Sequence, residues 1–469
     1  MSIDRLRDIR FWIILFFLIR LIGITNPPLD RAHVWRQVST NMYARNFLEV
    51  DNNPFYGRVD MAGDLTGITA KEFPVFNYGI YLLSEIFGFQ HWFGRLINLA
   101  VSSLGLWFFY LIILAYFNKR TAFASTIILA GSIWIVYSRM IIPDTFSTSL
   151  VIIGSFYGLR YFREGKWTDL IWYGLWAGLG VLSKIPSIYL LGLFILPFFH
   201  RETTWRVRAL FLIPSACILI ANALWYGYWV PHVVGTYGYT HHSIKSFSLG
   251  LSEVLADPMS IAYRIYGTAL YSYVAFGFFV IGLIFMIREK QRLLLYLLAI
   301  LGFLFALVII KAGRTFMIHS YYVVPFVPVM ALITGFLIAK VKKQWLYTVI
   351  LIVIVAESGA NQMHHFWQDD WQQPKLELEE IADEFSSRND LFIAPGDGSP
   401  VLLYFSHRKG WAPTFDEVLD DKWLEDVIDR GAKFMIIDKK FCPEELQDFK
   451  YPVVYDDEYF RIFRLLQKG

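Results

Sequence analysis

Nine consecutive residues, Leu29-Asp30-Arg31-Ala32-His33-Val34-Trp35-Arg36-Gln37, bring together a carboxylate, two guanidinium groups, an imidazole, an indole and an amide directly after an apolar segment. Pro27 and Pro28 hold the backbone extended before Asp30, which keeps its carboxylate close to the end of that segment. A carboxylate there, shielded by Trp35, suits a general base toward a hydroxyl or a ligand of a divalent metal, and equally the cap of a helix over 34–47. Helical spacing puts His33, Arg36 and Gln37 near one face, and Arg36 is a planar fork suited to phosphate oxygens. Lipid-headgroup contact is the competing reading for Arg31 and Arg36.

Other polar residues stand out against apolar surroundings. Asp144, in Ser138-Arg139-Met140-Ile141-Ile142-Pro143-Asp144, is a second catalytic or metal-ligating candidate and also fits a helix N-cap after a proline turn. Lys184, in Leu182-Ser183-Lys184-Ile185-Pro186, either holds an anion or snorkels to the interface. Lys71, Glu72, Arg139, Lys311, Arg314, His319 and Tyr322 complete the set of polar and aromatic candidates. Two carboxylates ringed by cations suit transfer from a lipid-linked phosphate donor: the cations hold a phosphate leaving group while a carboxylate takes the acceptor's proton. Trp35, Tyr43, Phe76 and Tyr78 suit sugar stacking and equally an interfacial aromatic belt.

The elements that must position these groups are membrane helices. Over 469 residues, 56% are hydrophobic and 18% charged, and the mean hydropathy is +0.43, which no ordinary soluble chain reaches. Apolar runs of roughly 15 to 25 residues without period-two alternation exclude an outer-membrane barrel. A net charge of +3 gives no argument for nucleic acid. Cys217 and Cys442 stand far apart without metal-ligand spacing, so neither a disulfide nor a zinc site is expected. Arg5, Arg7 and Arg10 flank a first segment interrupted by Arg20 and without a cleavage motif, the pattern of a retained signal anchor.

Candidate spans fall at 11–25, 96–117, 121–137, 145–162, 170–183, 187–199, 209–229, 263–287, 293–310, 321–339 and 345–356, about eleven helices; the short run 75–87 suits an interfacial or re-entrant helix. Threaded this way, Lys119/Arg120, Arg163/Lys166, Arg201/Arg206/Arg208, Arg288/Lys290/Arg292 and Lys340/Lys342/Lys343 all join the N-terminal arginines on one side, which the positive-inside rule makes cytoplasmic. The loop of Asp30 (26–74), Arg139 to Asp144, Lys184, 231–257 and Lys311 to His319 then share the extracytoplasmic side of an inner or plasma membrane. Residues 1–356 read as the transmembrane catalytic domain. Residues 357–469 turn polar and alternate helical stretches (376–385, 415–430) with apolar runs (391–394, 433–437, 459–465), the pattern of a small extracytoplasmic α/β domain. Its Ala394-Pro395-Gly396-Asp397-Gly398 run lacks a following Gly-Lys-Ser/Thr and reads as a turn, not a phosphate loop.

The first 340 residues or so resemble the GT-C glycosyltransferases, in the branch of the protein O-mannosyltransferases and lipid A aminoarabinose transferases. The resemblance is carried by Asp30 with His33-Val34-Trp35-Arg36-Gln37 and Ala44-Arg45-Asn46-Phe47, by Glu72-Phe73-Pro74, Pro143-Asp144 and Leu182-Ser183-Lys184, and by His319-Ser320-Tyr321-Tyr322 with Pro325 and Pro328. It implies an inverting transferase that uses a polyprenyl-phosphate sugar and acts on a glycan, lipid or protein acceptor outside the cytoplasm. It assigns Asp30 as base, Asp144 as second acid and Lys184 as a cation near the donor phosphate, with His33, Trp35, Arg36, Gln37, Lys71, Glu72, Arg139, Arg314, His319 and Tyr322 as donor-binding candidates. The chain departs from the family where an Asp-Glu pair becomes Asp30-Arg31, and where Lys-Pro-Pro becomes Glu72-Phe73-Pro74 behind Lys71. A transporter of an anionic lipid-linked sugar, and a scaffold of an envelope complex, are the readings from other classes. The former requires internal repeats and charged mid-membrane helices, of which the sequence shows little.

Overall fold

The computed structural model describes residues 8–240 and 245–465; Arg5 and Arg7, which enter the topology argument, lie outside them. The chain is a helical bundle with a small sheet domain at one end. Five helices among the described residues are long and apolar enough to cross a membrane: Phe93–Tyr116, Trp205–Tyr237, Arg292–Ala312, Ser320–Ile338 and Gln344–Phe366. A sixth candidate, Pro258–Thr268 with Tyr273–Arg288, is bent by 105°.

The apolar runs of the sequence therefore do not map onto eleven unbroken spans. The run 121–137 splits into Lys119–Gly131 and the turn Trp134–Tyr137. Pro186 and Pro197 flank a run that folds as a 3-10 helix, Ile185–Phe194, followed by one α-turn. The bend near Tyr271, whose φ is +49°, is fixed by Glu357, which accepts from Ser272 Oγ and from the backbone N–H groups of Tyr273 and Val274. These first-turn donors have no partner within their own helix, so a carboxylate at that point stabilises the break.

Two helices, Pro143–Glu164 and Trp167–Ser183, approach each other closely through glycines. A Cβ on Gly154 would lie 2.6 Å from Ala177 N, and one on Gly180 2.7 Å from Val151 Cγ2 and 2.9 Å from Ser147 O. Ser147 Oγ, 2.7 Å from Gly180 O, also bonds Ser187 Oγ at 2.7 Å. The absence of side chains at the two glycines thus brings the end of one helix, at Lys184, beside the start of the other, at Asp144.

The sheet has strand order β2-β1-β3-β5-β4, with β1 Leu391–Ile393, β2 Lys409–Trp411, β3 Ala432–Asp438, β4 Val453–Asp456 and β5 Phe460–Arg464. β1 runs parallel to β2 and β3, and β5 pairs antiparallel with β3 and β4. The two-residue period of a strand divides β3 between two cores. Met435 and Ile437 pack with Leu424 and Val427 of the helix Asp421–Asp429. Phe434 and Ile436 face a core that also contains Leu29, Val38, Met42, Val59 and Met61. The sheet domain and the long first loop therefore share one hydrophobic core. Arg31 pairs with Asp369 at 2.6 Å, Trp35 Nε1 donates to Gly398 O at 2.8 Å, and Arg45 Nη1 donates to Tyr404 O at 3.0 Å.

Candidate active site

At the end of the bundle that carries the sheet domain, Glu72 is the centre of a buried charge cluster. Its Oε1 accepts from Arg36 Nη2 at 2.8 Å and from Lys184 Nζ at 2.7 Å, while Lys71 Nζ stands 4.0 Å from Oε2. Each partner is delivered by a different element. Arg36 is on the first-loop helix Val34–Glu49, and Lys184 caps the helix Trp167–Ser183. The Lys71-Glu72-Phe73 strap is sewn to that second helix by Phe73 N donating to Leu182 O, and to the span Trp205–Tyr237 by Trp225 Nε1 donating to Lys71 O.

Asp144 faces the same cluster. It is 1% exposed, and its electrostatic neighbours are Lys184, Arg36, Glu72 and Lys71. Both of its carboxylate oxygens lack a hydrogen-bond partner. Ile142, not Asp144, occupies the cap position of its helix, so the capping reading does not hold. Its place in the first turn favours a negative charge, but buried carboxylates are ordinarily hydrogen-bonded. Asp144 is thus an unpaired buried carboxylate beside three basic side chains.

Burial acts on the Glu72 carboxyl to raise its pKa, but Arg36, Lys184 and Lys71 outweigh burial and hold it well below the usual range. Lys71 moves the other way. Burial, with Arg36 and Lys184 nearby, pushes its ammonium well below the ordinary lysine value despite Glu72. Three basic side chains thus face two carboxylates, Glu72 and Asp144, and they keep unused donors: Arg36 Nε has no partner and Lys184 spends one N–H on Glu72. Arranged around a carboxylate, these groups can bind an anion such as a phosphate.

An aromatic wall closes the site. Lys184 Nζ lies 5.5 Å and 5.3 Å from the ring centroids of Tyr321 and Tyr322, and His319 stacks on Tyr321 at 5.1 Å. His33, at φ +58° in the left-handed region, precedes the first-loop helix. It contacts Tyr137 OH at 2.7 Å, and Tyr137 OH contacts Ser320 Oγ at 2.6 Å. Burial, with His319, His365, Arg264 and Arg36 nearby, lowers His33 to about 3; burial and Lys184 lower His319 to about 4. Tyr226, within the π-helical turn Trp225–Trp229, adds a buried hydroxyl without a partner toward Glu72 and Lys184. Sequence reading passes over it, because an aromatic in an apolar run looks like ordinary core; π turns are, however, frequent at functional sites.

The remaining candidates lie elsewhere. Asp30 is paired with Arg95 at 2.7 Å and accepts from Gln37 Nε2 and Gln368 Nε2. Arg36 and Gln37, expected on one face, serve different carboxylates. Asp30 does not cap the following helix either, whose cap position is His33. Arg139 donates to Gly23 O and lies over the Phe366 ring. Arg314 is exposed near Glu253, to which its backbone N–H donates. Trp35 binds the Gly398 carbonyl of the sheet domain. Among the described residues no three His, Cys, Asp or Glu side chains gather as a metal-ligand set. Asp30 carries an arginine and Asp144 is ringed by cations, so neither offers a divalent metal a fitting donor set.

Residues 71–228 match the family described as dolichyl-phosphate-mannose-protein mannosyltransferase. The fold is similar to that of ArnT from Cupriavidus metallidurans, in the apo state (12% identity, TM-score 0.59, 97% of both chains) and bound to undecaprenyl phosphate (11%, 0.60, 97% of this chain and 98% of that one). It is also similar to the archaeal oligosaccharyltransferase AglB from Archaeoglobus fulgidus, in complex with an inhibitory peptide and a dolichol-phosphate (12%, 0.53, 92% of this chain and 69% of that one). No curated protein sequence matches. The chain therefore has the fold of ArnT and AglB, and over residues 71–228 it is similar to the dolichyl-phosphate-mannose-protein mannosyltransferases.

Proposed function

We propose that the chain transfers a sugar, with inversion, from a polyprenyl-phosphate-linked donor to an acceptor hydroxyl on the extracytoplasmic face of the membrane. The unpaired, buried Asp144 carboxylate beside Arg36, Lys184 and Lys71 carries this reading. The acceptor O–H gives its proton to Asp144 as its oxygen forms the new bond to the anomeric carbon. The bond from that carbon to the phosphate oxygen breaks on the opposite side, and the electron pair leaves on the lipid phosphate. Lys184, Lys71 and the free Nε of Arg36 meet the charge that develops there. Glu72 keeps Arg36 and Lys184 charged and oriented between turnovers.

Asp30, expected from sequence to be the base, fits better as an anchor: its charge is already met by Arg95, whereas the Asp144 oxygens are free. ArnT with undecaprenyl phosphate and AglB with dolichol-phosphate support a polyprenyl donor. The gathering of Lys119, Arg163, Arg206 and Lys343 away from Asp144 supports an outward-facing site. The test is binding of undecaprenyl phosphate to the purified full chain, read as thermal stabilisation. The reading expects saturable stabilisation that Lys184→Gln weakens at least tenfold in apparent Kd, about 1.4 kcal/mol. Equal stabilisation of both proteins overturns the phosphate assignment.

A further inference from the structure

A cavity of about 420 Å³ opens between the helices Phe93–Tyr116, Pro143–Glu164 and Arg292–Ala312 and the segments around Leu190 and Val329. Apart from Tyr116, Ser155, Arg163, His200 and Thr203, its lining is aliphatic and aromatic. A second crevice of about 180 Å³ adjoins it and shares Ile112, Tyr116, Leu159 and Arg163. The two form a fork with Arg163 at the branch.

Three observations say what belongs there. Arg163 is exposed and lies 5.9 Å from the Tyr116 ring, while the nearest carboxylates in sequence are occupied: Glu164 by Lys166 at 2.9 Å and Asp169 by Arg160 at 2.5 Å. A cation is thus left at the mouth of an apolar fork. Ser155 is 2% exposed and lines the larger limb, and its Oγ has no partner, although a helical serine normally bonds the carbonyl four residues back. It offers a donor to an oxygen that enters the cavity. Finally, nineteen residues of helix separate Asp144 from Arg163, a rise of about 29 Å and so the thickness of a bilayer's hydrocarbon core. The fork opens at the opposite end of the bundle from Glu72 and Lys184.

We infer that the fork binds one anionic diacyl glycerophospholipid from the leaflet opposite the active site, one chain in each limb and the phosphate on Arg163. This lipid differs from the donor: the donor's phosphate belongs at Lys184, and its single isoprenoid chain leaves a second limb unfilled. Charge at the mouth and two limbs match a two-chain anion, the smaller limb carrying besides Arg163 only the paired Arg160 and Glu164 among its apolar lining, and Ser155 offers its donor to an oxygen of the chain in the larger limb.

The test is native mass spectrometry of the full chain, equilibrated with equal amounts of dioleoyl phosphatidylglycerol and dioleoyl phosphatidylcholine. One phosphatidylglycerol retained per chain in preference to phosphatidylcholine is expected. Arg163→Ala, a change at an exposed position, lowers that preference about fivefold, the effect of one basic residue at an anionic surface, and Arg206→Ala does not. Leu297→Trp, which fills the larger limb, abolishes retention. Equal retention of the two lipids, an unchanged preference in Arg163→Ala, or displacement of phosphatidylglycerol by undecaprenyl phosphate overturns the inference. These outcomes are read without sugar transfer, so they stand apart from the proposed activity.

Discussion

Replacing Asp30 and Asp144 separately by Asn separates an anchor from a base. The Asp30 carboxylate meets Arg95 at 2.7 Å, and the two side chains are 7% and 0% exposed. Arg95 Nε and Nη1 already lack partners, so Asp30→Asn leaves a buried guanidinium with no counter-charge. Breaking a buried pair in this way costs about 3–5 kcal/mol. Asn with its oxygen toward Arg95 and Gln37 keeps those two donors but turns its NH2 toward the Gln368 donor, so one long hydrogen bond is lost along with the charge. Asp144→Asn removes no hydrogen bond, because neither oxygen accepts one, and relief of a desolvated charge offsets lost attraction to Lys184 and Arg36. Its stability therefore stays within about 1 kcal/mol of the parent. Loss of a general base, in contrast, lowers kcat about 10²- to 10⁴-fold. The assay pairs chemical denaturation in detergent with sugar transfer measured per folded molecule. Asp30→Asn is expected to be unstable with kcat retained in the folded fraction, and Asp144→Asn stable and inactive. The opposite pattern, a stable and inactive Asp30→Asn beside an active Asp144→Asn, refutes the assignment and returns the base to the first loop.

Glu72→Gln leaves Arg36 and Lys184 without their hydrogen-bonded counter-charge, with Asp144 the one carboxylate still facing both, and is expected to cost about 3–5 kcal/mol by denaturation; a change below about 0.5 kcal/mol shows that the cluster does not brace the bundle. Gly180→Val forces the helices ending at Lys184 and starting at Asp144 apart, since even its Cβ meets Val151 Cγ2 at 2.7 Å. It is expected to lose about 1–3 kcal/mol together with transfer, while Gly178→Ala on the same helix, whose nearest neighbour is 3.6 Å away, keeps both. His33 and His319 stay neutral in the folded chain down to about 3 and about 4, whereas the unfolded chain takes up protons near the ordinary value of 6.5. Their depressed pKa values therefore leave stability whole above pH 6.5 and drain it as pH falls toward 4 and then 3. At about pH 5 His33 alone accounts for about 2 kcal/mol, and His33→Gln is expected to flatten the acid limb of Tm against pH.

The sequence made the residue types of the site legible but not their pairing. Asp144, Lys184, Glu72, Lys71 and Arg36 all stand out as polar groups in an apolar chain, and five such residues on one face already imply an anion. Which carboxylate is free and which is spent depends on Arg95, an arginine inside an apolar run that hydropathy does not distinguish from a snorkelling one. The strands at 391–394, 433–437 and 459–465 are found close to their places because alternation and β-branched content are local properties. β2 and β4 are missed, being three and four residues long with exposed positions. The helix expected over 415–430 divides into Phe415–Leu419 and Asp421–Asp429, because Asp420 caps a new helix there. Breaks within the spans escape for a related reason: the bend after Thr268 is held by Glu357, 85 residues beyond Ser272, and no window of sequence contains both.

The shared core of the first loop and the sheet domain bears on how the site is held in register. Arg36 reaches Glu72 from a helix that puts Val38 and Met42 into a core with Phe434 and Ile462, and neighbouring Trp35 donates to the Gly398 carbonyl. The sheet thus fixes the pitch of the first-loop helix from outside the bundle, while the Gly154–Gly180 contact fixes Lys184 and Asp144 from within it. Two bodies that meet at one carboxylate, Glu72, need both sets of contacts for the cluster to close. A chain cut before the sheet would keep Lys184 and Asp144 together, but it would lose the packing that holds Arg36 against Glu72. The polar tail is therefore part of the site's architecture and not an appendage to a self-sufficient bundle.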